Sequence, residues 1–256
     1  MGKAIAVFVL VFAVLYGAIC AYLYNKQRDL IYYGWVTTID AAGTDYVLKR
    51  PDATLRGWVV NPGQADAVVY FGGNAERIEG LRSELASALP GRTVYLVAYR
   101  GYGASTGEPS EAVIAPDAVA VFDDVRKRHP GGRIAVVGRS LGSGVAAHVA
   151  GARPVERIVL ITPFDTMACP AAHQNPLVPV RWMLEERWES AKALAALQAP
   201  ALVLRAGQDE IVPAECTDAL LAALPKAPRV EAFPEANHDG ISDDPRYWQA
   251  LIEFLR

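Results

Sequence analysis

From Ala4 to Tyr24 the chain reads AIAVFVLVFAVLYGAICAYLY, apolar at nearly every position and free of charge. A helix packed on a soluble core would carry a polar face, and this segment has none. About 21 residues at 1.5 Å each rise about 31 Å, the thickness of a bilayer's hydrocarbon core. A membrane-spanning helix is therefore expected. Ala18 and Cys20 stand at the A-x-A-like spacing of a cleavage site, which makes a signal peptide the alternative. The apolar run nevertheless continues through Tyr22, Leu23 and Tyr24, as an uncleaved anchor would. A lipoprotein reading of Cys20 needs a small residue before it, and Ile19 is not small.

Beyond NKQRDLIYYGW the pattern changes. In VLKRPDATLRGWVVNPG, Leu55, Trp58 and Val60 stand among polar and turn-forming residues, which predicts an opening antiparallel hairpin. Short apolar runs then follow at 67–71, 93–99, 133–138, 157–162, 201–207 and 229–233. They alternate with helical periodicities at 76–89, 111–128, 141–151, 185–197, 214–223 and 245–255. Asp244 before Pro245 is an N-cap with proline in the first helical position. Strands alternating with helices predict an α/β fold: a mostly parallel sheet with helices on both faces, and the ligand site beyond the carboxyl ends of the strands. After the sixth strand, Pro163, Pro170, Pro176 and Pro179 exclude one continuous helix, so a short irregular cap is expected over about 163–199. The expected division is 1–25 as anchor and 26–256 as one domain.

Charge and cysteine content narrow the partners. With 25 Lys and Arg against 28 Asp and Glu among 256 residues, and no run of like charge, no nucleic-acid footprint is present. The cysteines Cys20, Cys169 and Cys216 form neither a disulfide framework nor a C-x-x-C metal or redox pattern; a single Cys169–Cys216 bridge is left open. Lys3 precedes the apolar span, and Lys26 and Arg28 follow it, so charge alone does not orient it. The expected arrangement is a single-pass N-terminal anchor with its domain outside the cytoplasm, in the periplasm.

The strand ends carry the chemistry. IAVVGRSLGSG places Ser140 in a G-x-S-x-G motif between a buried strand and a helix, the setting of a nucleophile elbow. A serine hydroxyl needs a base, commonly a histidine held by a carboxylate. Of the four histidines, His129 lies before the nucleophile strand, His148 on the following helix and His173 in the proline-rich segment. His238, just past the last strand in PEANHDGI, is the expected base. Asp209, after the preceding strand in RAGQDEIVP, is the expected orienting acid. Glu210, Asp239 and Asp165 are its competitors. Oxyanion donors are expected from the backbone N–H groups of Leu141 and of Asn74 in the turn FGGNAE. The turn YRGYGASTGEPSE lacks the G-K-[ST] ending of a phosphate loop, and Arg100 there is expected to pin the loop.

These segments resemble membrane-anchored bacterial α/β-hydrolases of the serine aminopeptidase-like group, related to eukaryotic α/β-hydrolase-domain thioesterases. The likeness runs from QRDLIYY through FGGNAE, YRGYGASTGEPSE, GRSLGSGVA, TPFDT and GQDEIVP to NHDGI. It implies the α/β-hydrolase fold, the triad Ser140, Asp209 and His238, and the oxyanion donors Asn74 and Leu141. One departure is Gly72, which stands where the family commonly has a histidine. The expected activity is hydrolysis of esters or thioesters through an acyl-enzyme, with no cofactor and no metal. The expected substrate is a small-molecule or lipid-derived acyl compound. A serine peptidase and a non-catalytic, membrane-tethered binding module are the alternatives.

Overall fold

The computed structural model describes residues Met1–Arg256. Its centre is an eight-stranded sheet in the order β1-β2-β4-β3-β5-β6-β7-β8. The strands are β1 (Tyr46–Lys49), β2 (Thr54–Val60), β3 (Asp66–Phe71), β4 (Arg92–Val97), β5 (Ile134–Arg139), β6 (Ile158–Ile161), β7 (Ala201–Gln208) and β8 (Arg229–Asn237). β1, β2 and β4 pair antiparallel, so the expected hairpin opens the sheet, and every pairing from β4 through β3 to β8 is parallel. Val68, Val136 and Leu160 on the central strands are wholly buried, which is why those strands read as unbroken apolar runs rather than alternating ones. Each such side chain contributes about 1.5–3 kcal/mol of burial.

The helices are α1 (Gly2–Ile31), α2 (Arg82–Ala88), α3 (Glu111–Arg128), α4 (Leu141–Ala152), α5 (Ala168–Gln174), α6 (Val180–Met183), α7 (Ser190–Ala193), α8 (Ala214–Ala223) and α9 (Pro245–Leu255). In α9 the Asp244 carboxylate accepts from Arg246 N–H at 2.9 Å. Tyr247, Ala250, Leu251, Phe254 and Leu255 form its buried stripe, the i, i+3, i+4, i+7, i+8 pattern of an amphipathic helix. Arg100 does pin its loop: its guanidinium donates to Asp117 and to Asp52, at 2.8 Å in the latter case.

Two expected helices come out shorter. The 76–89 periodicity yields a 3-10 turn at Ile78–Leu81 followed by α2, because Ala75 (φ 60°) and Glu76 are used to fold the preceding loop. The 185–197 periodicity yields only α7. Upstream of α7, Glu186 and Trp188 are buried, and Glu186 binds Arg28, Tyr32 and the Glu111 N–H instead of continuing a helix. α1 runs without a break past residue 25 to Ile31. Its end is fixed to the sheet's carboxyl side by Asn74, whose side chain donates to the Ile31 carbonyl and accepts from Tyr33 N–H at 2.9 Å.

Candidate active site

Ser140 stands between β5 and α4 with φ 51° and ψ −116°, a conformation in which a non-glycine residue is strained. The surrounding glycines make the turn feasible. A Cβ on Gly138 would lie 2.1 Å from the Gly142 carbonyl oxygen, and one on Gly142 would lie 2.0 Å from that of Phe71. No side chain fits at either place, so the spacing of the motif follows from the close approach of β5, α4 and β3. The Ser140 N–H donates to Ile161 O at 2.9 Å, and its carbonyl accepts from Ser143 N–H at 2.8 Å, fixing the turn from both sides.

His238 follows β8 and is 7 % exposed. Its Nε2 is 2.9 Å from Ser140 Oγ. Its Nδ1 is 2.8 and 2.9 Å from the two Asp209 carboxylate oxygens. With the proton on Nδ1 donated to Asp209, Nε2 is left to accept from the serine hydroxyl. Asp209 Oδ1 also accepts from Ile211 N–H at 3.0 Å and Val212 N–H at 2.7 Å, so the loop after β7 holds the carboxylate in place. The structure therefore brings Ser140, Asp209 and His238 together. It does not bring in the competitors: Asp239 has a 92 % exposed side chain, and Glu210 is exposed. Asp165 makes no bond to His238 and sits instead against the Cys169–Cys216 disulfide, with Oδ1 buried and unbonded. Because both sulfurs are joined to each other, that cluster offers no thiolate pair to a metal. His129 bonds Tyr95 and the Ala65 carbonyl, while His148 is half-buried on α4.

Asn74 and Leu141 line the same cavity as Ser140, and neither backbone N–H is engaged by a protein acceptor. The loop carrying Asn74 has no histidine at Gly72, and Glu76 and two tyrosines brace it instead. Glu76 accepts from Gly73 N–H at 2.6 Å and pairs with Arg139 at 2.7 Å. Tyr99 donates to the Gly72 carbonyl at 2.8 Å, and Tyr102 donates to the Asn74 side chain at 2.7 Å. Arg139 in turn donates to the carbonyls of His238 and Asp239, at 3.4 and 2.9 Å. One largely buried ion pair thus links the loops that carry Asn74, Ser140 and His238. Burial by itself would lower the Arg139 pKa, but Glu76 and Tyr70 more than offset it and hold the guanidinium above its ordinary value. Burial, followed by the neighbouring Glu76 charge, pushes the Tyr70 phenol well up, so it stays a donor to that carboxylate. The sequence pointed to neither Glu76 nor Arg139; the one available signal was a glutamate three residues after a glycine turn, the spacing of a cap.

A cavity of about 330 Å³ opens in front of Ser140, lined mostly by apolar side chains and by no carboxylate. Val212 comes from the loop after β7, Phe164, Met167, Val178 and Met183 come from the cap region, and Leu23, Leu30 and Ile31 come from α1.

A profile described as alpha/beta hydrolase fold matches residues 66–179. An uncharacterized protein of Mycobacterium tuberculosis is 35 % identical over 245 residues, covering 90 % of this chain and 87 % of its own. An uncharacterized membrane protein of Saccharomyces cerevisiae is 27 % identical over 257 residues, covering 92 % of this chain and 90 % of its own. Among solved structures, an esterase of Pyrococcus furiosus superposes with a TM-score of 0.64 at 19 % identity, covering 83 % of this chain and 88 % of that one. The chain belongs to the α/β-hydrolase family.

Proposed function

We propose that the protein is a serine hydrolase of carboxylic esters or thioesters, held at a membrane by α1. The observation that carries this reading is the placement of His238 between Ser140 Oγ and the Asp209 carboxylate, with Ser140 lining an apolar cavity. Ser140 Oγ attacks the acyl carbonyl carbon as its proton passes to His238 Nε2. Asp209 keeps the imidazole in the required tautomer and stabilises the imidazolium. The negative charge that develops on the carbonyl oxygen is met by the N–H groups of Leu141 and Asn74. Collapse breaks the C–O or C–S bond, and the alcohol or thiol leaves with the proton from Nε2. His238 then takes a proton from water, whose oxygen attacks the acyl-enzyme and releases the carboxylic acid and Ser140.

The apolar lining suits an acyl chain, whether of a small molecule or of a lipid. An aminopeptidase would need a carboxylate or similar group for the substrate's ammonium, and none lines the cavity. The Cys169–Cys216 disulfide supports an extracytoplasmic domain, because disulfides persist in oxidising compartments. A fluorophosphonate probe tests the reaction class: a covalent adduct is expected on the wild type and absent from Ser140→Ala. An unlabelled wild type would instead favour a binding module. Turnover of aminoacyl-nitroanilides, with p-nitrophenyl esters untouched, would replace the esterase reading by a peptidase.

A further inference from the structure

α1 and the cap segment Leu177–Glu186 lie side by side, running in the same direction. Tyr24 Oη donates to the Glu185 carboxylate, and Tyr16 Oη donates to the Leu177 carbonyl at 2.9 Å. The cap from Glu185 back to Leu177 thus follows α1 from Tyr24 to Tyr16, about 12 Å of helix rise. The uncharged stretch Ala4–Tyr24 is about as long as a hydrocarbon core is thick, about 30 Å, which leaves little slack for sliding the helix outward. With Asn25 and Lys26 marking the domain-side boundary, Leu177 sits below that boundary, inside the adjoining leaflet.

The cap segment has several properties that suit this depth. Leu177 is 83 % exposed and Trp182 is 88 % exposed, an unusual arrangement in water but the expected one for side chains facing lipid. Backbone groups in hydrocarbon must be bonded within the protein. The Leu177 carbonyl is met by Tyr16, the Pro179 carbonyl by the Trp182 and Met183 N–H groups, and the Val178 and Val180 N–H groups by carbonyls of the segment. Pro176 and Pro179 have no N–H to satisfy. Arg181 carries the one charge between Leu177 and Leu184, on a stem long enough to reach the headgroups. Val178, Val180 and Met183 of the same segment, with Leu23 and Tyr24 of α1, line the cavity that Ser140 also lines.

We infer that the mouth of this cavity lies within the leaflet, between α1 and the cap, and that the substrate is a membrane-resident acyl lipid whose chain enters sideways without crossing water. The inference rests on Ser140 being the nucleophile and α1 a membrane span. The acyl chain then stays among apolar groups throughout, and the ester reaches Ser140 at the headgroup level.

The test uses the full-length protein in phosphatidylcholine vesicles with two esters: p-nitrophenyl butyrate from the water phase and 4-methylumbelliferyl oleate dissolved in the bilayer. Leu177→Asp combined with Trp182→Asp introduces charge at the leaflet face and is expected to lower oleate turnover about tenfold or more, with butyrate turnover within about twofold of wild type. Oleate turnover equal to wild type would overturn the inference. A second measurement is independent of turnover: quenching of tryptophan fluorescence by phosphatidylcholines brominated along their acyl chains. The Trp182→Phe variant is expected to lose a quenched component, and identical quenching in the two proteins would overturn the inference. A wild type inert on both esters would refute the hydrolase reading, and the bromolipid result would then decide the membrane placement alone.

Discussion

The Glu76–Arg139 pair offers a test in which stability and turnover separate. Their side chains are 10 % and 14 % exposed, and the charged atoms meet at 2.7 Å. Removing one partner of such a pair leaves a buried charge uncompensated, which costs about 3–5 kcal/mol, whereas removing both is often nearly neutral. Glu76→Gln keeps an acceptor for the Gly73 N–H and removes only the charge. At about 2–4 °C per kcal/mol for a chain of this size, its melting temperature should fall by about 6–12 °C if the cost is at the lower end. Adding Arg139→Met should recover most of that loss. It should not recover turnover, because Arg139 also donates to the carbonyls of His238 and Asp239. Freeing that loop lets the imidazole drift from Ser140 Oγ, and a misplacement on the order of 1 Å costs about 100-fold in rate. The assay is thermal unfolding followed by circular dichroism in detergent, with steady-state kinetics on a soluble ester. Glu76→Gln melting within about 2 °C of wild type would refute the energetic argument. A double variant that regains wild-type kcat along with its melting temperature would refute the positioning role of Arg139.

Two further outcomes follow from the same geometry. Asp209→Asn keeps a carbonyl oxygen for the Ile211 and Val212 N–H groups but no longer holds the Nδ1 proton, so kcat should fall about 10⁴-fold with the fold unchanged. A loss smaller than about tenfold would mean that another group orients His238. The Cys169–Cys216 bridge closes a loop with a sequence separation of 47. Loop entropy for that length corresponds to about 4 kcal/mol, so Cys169→Ala with Cys216→Ala should melt about 8–16 °C lower. Dithiothreitol should shift the wild type and not the variant, and an unshifted wild type would show that the thiols are unpaired.

What could be read in the sequence was whatever depends on neighbours along the chain. The central strands are buried on both faces, so β3, β5 and β6 appear as continuous apolar runs bounded by glycine and polar turns. In a parallel sheet the residues just past those runs share one edge, and this rule, joined to the G-x-S-x-G motif and the need for a base and an acid, pointed to Ser140, Asp209 and His238. Side-chain pairings that depend on strand order were not readable. Glu76 and Arg139 meet because β3 lies next to β5, with Phe71 opposite Gly138, while β4 sits on the other side. Nothing in the order of segments along the chain announces that crossing. The same reason hid the end of the cap. Its helical periodicity over 185–197 was genuine, but Glu186 is drawn out of it by Arg28 and Tyr32, some 150 residues earlier in sequence. Those bonds are also what makes α1 more than a tether. A helix whose last turns are clamped to the cap through buried groups cannot swing freely over the cavity, and its residues Leu23, Leu30 and Ile31 then form a fixed wall of the site. If α1 spans a membrane as proposed, such a clamp, unlike a flexible linker, would fix the position of Ser140 relative to the bilayer. The expected division at residue 25 falls inside α1, whose later turns bond the cap through Gln27 and Arg28.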